Sequence, residues 1–395
     1  MLSLRNNNLS IIGSGVSGLT AGCAILDQGG QTIIYEKSEK IEELGAGITL
    51  SLNATGLLDR LGILTELTKV SYLPKKIILR DYSSGHEIGG WPINVSKDNE
   101  FITVDRRDLV KVLFKHYQDL GGLVETSSEV SAIDFDNKRL EFSDGTTKSA
   151  EVILACDGIR SKIREQYFDD SKPIFSNFLA WRGVSDISFL PQFKESEEVN
   201  LYYGPKGHVV HYPIGNRGKV NFVGVKESKE WTKESWKEEG TREDLSGDFA
   251  GWNEQLLKLM TSPTKIFKWG IFERSKIQSI QKNNLALLGD AAHPMVPFLG
   301  QGCCIAIEDA YSFGLLYSKL EDLDKTFDVY EKIRLRRGNW IQRRSRLQAK
   351  FNHMTNPALV RLRKLMIRGM SKNLIRAIHS YDAHRDVVKK MKTYT

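Results

Sequence analysis

Nowhere in this sequence do 18 or more apolar residues run together, so no segment is built to cross a bilayer as a helix. Cysteine is scarce: Cys23, Cys156, Cys303 and Cys304 are the four among 395 residues, and none has metal-ligand spacing. No metal site is expected, and thiols in apolar or glycine-rich surroundings suit a reduced, cytoplasmic interior. Adjacent Cys303 and Cys304 suggest a redox pair, but a vicinal disulfide is strained and small buried thiols are the expectation. Internal repeats, low-complexity stretches and long linkers are also missing. The first strand is entered by residue 9, which leaves no room ahead of it for a cleaved leader.

Acidic residues are nearly missing from one region. Residues 331–395 hold 18 Lys/Arg but only Glu331, Asp382 and Asp386, a local charge of +15 within a total of +7. The rest of the chain therefore carries −8. Such a tail suits an acidic membrane surface, nucleic acid or anionic small molecules, or simply a solvated helical face. No interleaved aromatics or nucleic-acid module accompany it, so nucleic acid is not an expected partner.

What is present is glycine in telling places. Leu9 to Gly13 reads as an apolar strand, Gly13-Ser14-Gly15-Val16-Ser17-Gly18 as a tight turn, and Leu19 to Leu26 as a helix closed by Gly29-Gly30. A second strand, Gln31 to Tyr35, ends on Glu36. In such a βαβ unit the first glycine permits the turn, the second lets phosphate approach the backbone, and the third lets helix and strand pack closely. The helix start offers amides and a positive dipole end to a pyrophosphate. Glu36, 18 residues past Gly18, is placed to accept from a ribose hydroxyl.

Further along, a helix is expected over Leu57–Leu67 with Gly62 as its weak point, and strands over 72–103 with turns at Ser83-Ser84-Gly85 and Gly89-Gly90. Asp108–Leu120 reads as a helix, Asp144-Gly145 as a hairpin, and Val152–Ala155 as a strand. Alternating strands follow at Val199–Tyr203, Val209–Tyr212 and Val220–Val225, then a charged, exposed helical stretch at 226–258. α/β character returns at Leu285, with long helices from Ile305.

Two more motifs narrow the dinucleotide: Cys156-Asp157-Gly158 after the apolar strand, and Leu288-Gly289-Asp290 more than a hundred residues later. GxGxxG, DG and GD in this order resemble the single-component, class A flavoprotein aromatic monooxygenases. That family includes salicylate hydroxylase, 4-hydroxybenzoate 3-hydroxylase and 3-hydroxybenzoate 6-hydroxylase. The resemblance spans roughly residues 9–350. It implies FAD as cofactor, NADH or NADPH as transient co-substrate, and one oxygen atom passing from O₂ through a flavin C4a-hydroperoxide to a small aromatic substrate. No second GxGxxG occurs, so NAD(P)H is expected to bind transiently, steered by Arg160, Lys162 and Arg164.

The resemblance also assigns residues. FAD would be held by Gly13, Gly15, Val16, Ser17, Gly18, Glu36, Lys37, Gly47, Ile48, Arg106, Val130, Asp157, Asp290, Gly300, Gln301 and Gly302. Arg107 competes with Arg106. His208 and Tyr212 face one way on an extended strand and resemble a His-x-x-x-Tyr couple that handles a phenol; they are the candidate catalytic residues. Arg182, Tyr203 and Pro297 are candidate substrate contacts, Arg182 for a carboxylate. Pro297 stands where the 3-hydroxybenzoate 6-hydroxylases have a catalytic glutamine, a departure that argues against that exact activity, while Pro-Phe-Leu-Gly-Gln-Gly and Trp181-Arg182-Gly183 resemble salicylate-hydroxylase-like members more. His293 and Pro294 would shape the loop after the GD motif.

The expected architecture is α/β: a Rossmann-type FAD-binding domain (1–71, 102–172, 282–350) interrupted by a sheet-rich substrate domain (72–101, 173–281), with a basic C-terminal helical segment (351–395). Two other readings stay open. One is a flavin monooxygenase of heterocyclic, polycyclic or quinone-type substrates, docked on a membrane through a stripe of Leu359, Leu362, Met366 and Met370. The other is a flavin-binding redox protein without hydroxylase activity. Monomer and homodimer are both compatible with the sequence.

Overall fold

The computed structural model describes residues 8–41, 45–93, 100–189, 197–215, 218–229, 238–368 and 372–393, with side chains for all of these but 364–368 and 372–374. The chain begins with β1 (Leu9–Ile12), α1 (Val16–Leu26), β2 (Thr32–Tyr35), β3 (Gly47–Leu50), α2 (Leu52–Arg60), α3 (Leu64–Lys69) and β4 (Ser71–Tyr72). It continues through β5 (Lys76–Asp81), β6 (Glu87–Pro92), β7 (Ile102–Asp105), α4 (Arg106–Asp119), β8 (Leu123–Glu125), β9 (Val130–Asp134), β10 (Arg139–Phe142), β11 (Thr147–Ser149), β12 (Val152–Ala155) and α5 (Lys162–Tyr167). The middle holds β13 (Ile174–Asp186), β14 (Glu198–Gly204), β15 (Gly207–Ile214), β16 (Lys219–Glu227), α6 (Arg242–Asp248), α7 (Glu254–Thr261) and β17 (Phe267–Glu273). Last come β18 (Gln281–Lys282), β19 (Leu285–Leu287), α8 (Gly302–Lys319), α9 (Leu323–Asn352), α10 (Pro357–Arg368), α11 (Lys372–His379) and α12 (Ala383–Met391).

One sheet runs β18-β19-β12-β1-β2-β8, parallel except for β18. Every residue of β1 and β12 is buried, as expected for central strands covered on both faces. Ile12 pairs with both Tyr35 and Ala155, and Ala155 with Leu287. Four neighbouring strands therefore end at one level, and the next residues are Gly13, Glu36, Cys156-Asp157-Gly158 and Leu288-Gly289-Asp290. The motifs, scattered between Gly13 and Asp290, share one edge of one sheet, where ligands of open α/β sheets bind.

The second sheet, β17-β13-β16-β15-β14-β5-β6, is antiparallel apart from the β14–β5 pair. Period-two alternation splits its side chains. Trp181, Tyr202, Val209, Val220 and Phe222 pack on one face with Leu245, Phe249, Trp252, Leu256, Leu259 and Met260. The 226–258 stretch is thus not an exposed helical run. Residues 226–227 finish β16, 230–237 lie outside the described residues, and α6 and α7 bury an apolar side against the sheet.

Two other expectations change. The Leu57–Leu67 helix is two helices, α2 and α3, separated where Gly62 takes φ +70°. Gly89-Gly90 is no turn but part of β6. A Cβ on Gly90 would come within 2.5 Å of the Ile77 carbonyl oxygen, so glycine serves close strand contact beside a register shift. All four cysteines are free thiols.

Charge is buried where α8 meets α9. Arg334 donates from Nε to Asp309 (2.6 Å) and from Nη2 to Glu308 (2.8 Å); Arg337 donates to both Glu308 oxygens. Asp309 accepts the Gly289 amide at 3.0 Å, and Arg337 also reaches the Ala377 and Ile378 carbonyls of α11. Arg334→Met leaves two buried carboxylates short of a partner and should lower stability by about 3–5 kcal/mol. Urea unfolding measures it; a loss under 1 kcal/mol would show the cluster to be dispensable.

Candidate functional site

The edge where the four strands end is lined by backbone. Gly13 takes φ +101°, and a Cβ there would meet the Cys156 carbonyl oxygen at 2.7 Å, so the first and second motifs touch. A Cβ on Gly18 would lie 1.9 Å from the Gly13 carbonyl oxygen, and one on Gly289 3.1 Å from both Ser17 Oγ and Ala306. Around Gly15, by contrast, a Cβ would meet nothing within 4 Å, and at Gly302 only Asp290 Oδ1 at 4.0 Å. Close packing behind and open space in front is the shape of a cradle. α1 and α8 both point their N-termini at it, and neither carries a side-chain cap. These free amides suit a pyrophosphate and an electron-rich ring edge.

Polar side chains complete the cradle. Glu36 accepts from the Ser14 amide and hydroxyl, both at 2.9 Å, and from the Ser38 amide at 2.9 Å. Burial opposes its charge, but these hydrogen bonds outweigh it and hold the carboxyl below its usual range. Lys37 beside it is exposed, and Val130 is buried at the start of β9. Asp290 is open to water yet surrounded by protein, whose bulk raises its pKa against the opposing charge of Arg106. Arg107 is instead tied to Asp105 (3.0 and 2.6 Å), so of the two arginines Arg106 is the one whose charge reaches Asp290. Burial also raises the pKa of Asp157, and its Oδ1 is buried without a hydrogen-bond partner. An orphaned acceptor, a cleft-lining acid and two uncapped helices fit FAD.

The Gln301 side chain turns away from this space. Its Oε1 accepts from Asn53 (2.9 Å) and its Nε2 donates to Ser51 (2.9 Å) and His379 (3.1 Å), which leaves the main chain of 300–302 to face a ligand. Gly300 takes φ +62° after the turn at Pro297–Leu299, where Pro297 is exposed and Phe298 buried. His293 lies against Gly338 of α9 with neither nitrogen hydrogen-bonded. Arg164 is not placed to steer a passing pyrophosphate: it is buried and donates to the Ala291, Ala292 and Ser275 carbonyls.

The inner face of the second sheet looks toward Gly47. The Gly47 amide donates to Asn221 Oδ1 (2.8 Å), and its carbonyl accepts from Arg182 Nη2 (3.1 Å); Ile48 follows, half-buried. Asn221 is fully buried, pairs with Tyr212 across the strands, and its Nδ2 has no partner. Burial pushes the Tyr212 hydroxyl up to about 12 although Arg182 opposes the shift. His208 shares the Tyr212 face but not its surroundings. Tyr212 packs with Phe101 and Ile214, whereas His208 Nδ1 lies 2.7 Å from His353 Nε2 beside Phe298. Tyr203 is covered by Arg363 of α10. Sequence reasoning missed Asn221 and His353, because neither lies in a motif and each acts only through the fold.

Two outcomes follow from this geometry. Gly47→Ala would put a methyl group 2.5 Å from Asn221 Cγ; such overpacking should weaken FAD binding about tenfold or more. Adding Asn221→Ala should recover part of the loss in a flavin-fluorescence titration, and no difference between single and double variants would refute the contact. Burial, aided by nearby arginines, pushes His211 and His293 down to about 3, and His353 and His379 down to about 4. Between pH 6.5 and 4 the unfolded chain binds protons that the folded one does not. Stability should therefore fall as pH drops through that window, by about 1.4 kcal/mol per pH unit per histidine. Calorimetry at pH 5.5 should find these four histidines and His208, also held down by burial, each taking up about one proton on unfolding, against about one released by Asp309; a net uptake below one would contradict the buried neutral state.

Known proteins agree with this architecture. A 3-amino-4-hydroxybenzoate 2-monooxygenase of Streptomyces platensis is 32% identical over 372 residues, covering 92% of this chain and 93% of that one. The 3-hydroxybenzoate 6-hydroxylase of Klebsiella oxytoca is 26% identical, covering 83% and 84%. Among solved structures, a salicylate hydroxylase substrate complex superposes with a TM-score of 0.85 at 21% identity over 98% of both chains. Klebsiella pneumoniae HpxO, complexed with FAD and uric acid, gives 0.83 at 21% identity, covering 98% and 97%. Residues 7–345 match the family described as FAD binding domain. With that match and a one-third identical relative spanning nearly the whole chain, this protein belongs to the FAD-binding-domain family of flavoproteins.

Proposed function

We propose that the protein is a FAD-dependent, NAD(P)H-consuming monooxygenase that adds one oxygen atom to an aromatic ring bearing a phenol and a carboxylate. The observation that carries this reading is a polar group gathered at Gly47: Arg182 and the unpartnered Asn221 amide, with Tyr212 opposite Asn221 across the strands. The relatives named for hydroxybenzoates support it. Bound FAD supplies electron transfer and oxygen activation. The chain's own work is to hold, orient and dry the ring.

In this reading residues 72–101 and 173–281 present the substrate to the flavin edge held by the remainder. Gly13, Gly15, Val16, Ser17 and Gly18 face the pyrophosphate, Glu36 and Lys37 the ribose, Val130 the adenine side, and Arg106, Asp157 and Asp290 the sugar chain. Gly47, Ile48 and residues 300–302 flank the ring. Arg182, whose guanidinium lies beside Gly47, pairs with the carboxylate. Asn221 Nδ2 and Tyr212 hold oxygen atoms of the ring substituents, Pro297 bounds the pocket, and His208 receives the phenolic proton.

The membrane-docked reading rests on Leu359 and Leu362, which α10 exposes at 47% and 50%; the Met366 side chain and Met370 lie outside the described residues. Among the described residues no helix is long and apolar enough to cross a membrane. Neighbouring α12 buries Ala383 and Val387 in the main core, which favours packing of the tail over docking.

NAD(P)H consumption should rise with hydroxybenzoates or aminohydroxybenzoates and yield a product heavier by one oxygen atom. NAD(P)H oxidation giving only peroxide with every such ring would leave a redox protein without hydroxylase activity. Arg182→Met should raise KM for carboxylated rings about 10- to 100-fold and spare neutral phenols. Equal effects on both would remove the carboxylate role.

A further inference from the structure

His208 and His353 form an unusual pair. One sits on the inner face of β15, the other just after α9, 145 positions apart, and their ring nitrogens stand 2.7 Å apart. Each is only 5% exposed. Phe298 stands edge-on to both imidazoles at 5.2 and 5.6 Å, and Phe178 packs on His353 at 5.1 Å and on Phe298 at 5.1 Å. Two hydrogen-bonded imidazoles thus run through a phenyl sleeve that keeps water out. At the outer end, His353 Nδ1 has no hydrogen bond but lies 3.7 Å from Oε1 of Glu227, a carboxylate 41% exposed at the end of β16. A small rotation of that side chain closes the gap.

We propose that His208, His353 and Glu227 form a proton relay that carries the phenolic proton of the bound ring from the buried site to solvent. The proposal rests on the hydroxylase reading for the identity of the proton donor. In the resting arrangement each imidazole is neutral. His208 carries its proton on Nδ1, shared with His353 Nε2, and His353 carries its own on Nδ1, toward Glu227. The phenol O–H bond breaks as His208 Nε2 takes that proton; the Nδ1 proton passes to His353 Nε2, and the His353 Nδ1 proton passes to Glu227 and on to water. One proton leaves and no charge stays behind except on the phenolate. Run backwards, the same chain returns a proton to the phenolate product and restores both tautomers.

The surroundings explain why a relay is needed rather than a lone base. Burial and the facing His353 hold the His208 pKa well below its ordinary value. His353 is held down to about 4 by burial, by Arg363 from α10 and by Lys226 from β16, with Glu227 the facing acid. Neither ring keeps a positive charge, so a proton accepted at one end must leave at the other.

The test uses the FAD-bound enzyme with 3-hydroxybenzoate and a pH indicator in stopped flow. His353→Phe keeps the ring in the sleeve but cuts the chain. Proton release on binding should slow roughly 10²-fold, with the loss in kcat rather than KM and partial rescue by added imidazole. Glu227→Gln, at an exposed position, should slow release by a smaller factor and leave the melting temperature unchanged. Unaltered release in His353→Phe, or a lower melting temperature as its sole effect, overturns the relay. A second readout needs no substrate. ¹⁵N NMR of the enzyme should show both imidazoles neutral and coupled through one shared N–H, whose solvent exchange slows in Glu227→Gln. Uncoupled or charged rings refute the relay whatever the hydroxylation assays give, whereas coupled rings with no turnover of any phenol would count against the hydroxylase reading alone.

Discussion

The contact on which the rest of this molecule depends is the buried cluster of Glu308 and Asp309 with Arg334 and Arg337. Its members are at most 7% exposed, so each charge is tolerable only because the others are there. Burial alone would raise the pKa of Glu308; Arg337 and Arg334 turn that shift downward. Asp309, whose one arginine is shared with Glu308, is still left at about 6 by its burial. The cluster is also a junction. Through Asp309 it holds the Gly289 amide, through Glu308 it meets Asn53 of α2, and through Arg337 it grips the carbonyls at the end of α11. The GD turn, the helix that starts at Gly302 and the C-terminal tail are therefore set by one electrostatic knot.

That knot accounts for the charge asymmetry of the chain. Part of the +15 over residues 331–395 is not a solvated face at all. Arg334 and Arg337 neutralise acids in the core, Arg346 pairs with Glu273, and Arg363 caps the end of α9 while lying over Tyr203. Counting charges shows the imbalance, but only the fold shows which of them have partners elsewhere in the chain.

The same distinction separates what could be read in advance from what could not. Gly13, Gly18, Asp157 and Asp290 were legible because each answers a local geometric demand: a tight turn, a close helix–strand contact, a strand-end acid. Even the face shared by His208 and Tyr212 followed from strand alternation. Asn221 carries no such signature, since its importance lies in meeting Gly47, 174 positions away. His353 is likewise invisible until α9 returns it to β15. Gly89-Gly90 misled for a related reason: glycine marks turns, but it also marks places where another backbone comes near, and one sequence does not tell the two apart.

The level ending of β12 and β19 has a consequence for how such a protein can vary. Ala155 and Leu287 sit side by side, though more than 130 residues separate them. Every strand that the second sheet draws from that interval leaves and re-enters the parallel sheet through adjacent doorways. A cassette with neighbouring ends can lengthen, shrink or be exchanged without moving the strands that hold the dinucleotide. Change in the second sheet then needs no renegotiation of the first, which lets one parallel frame carry many different inserts.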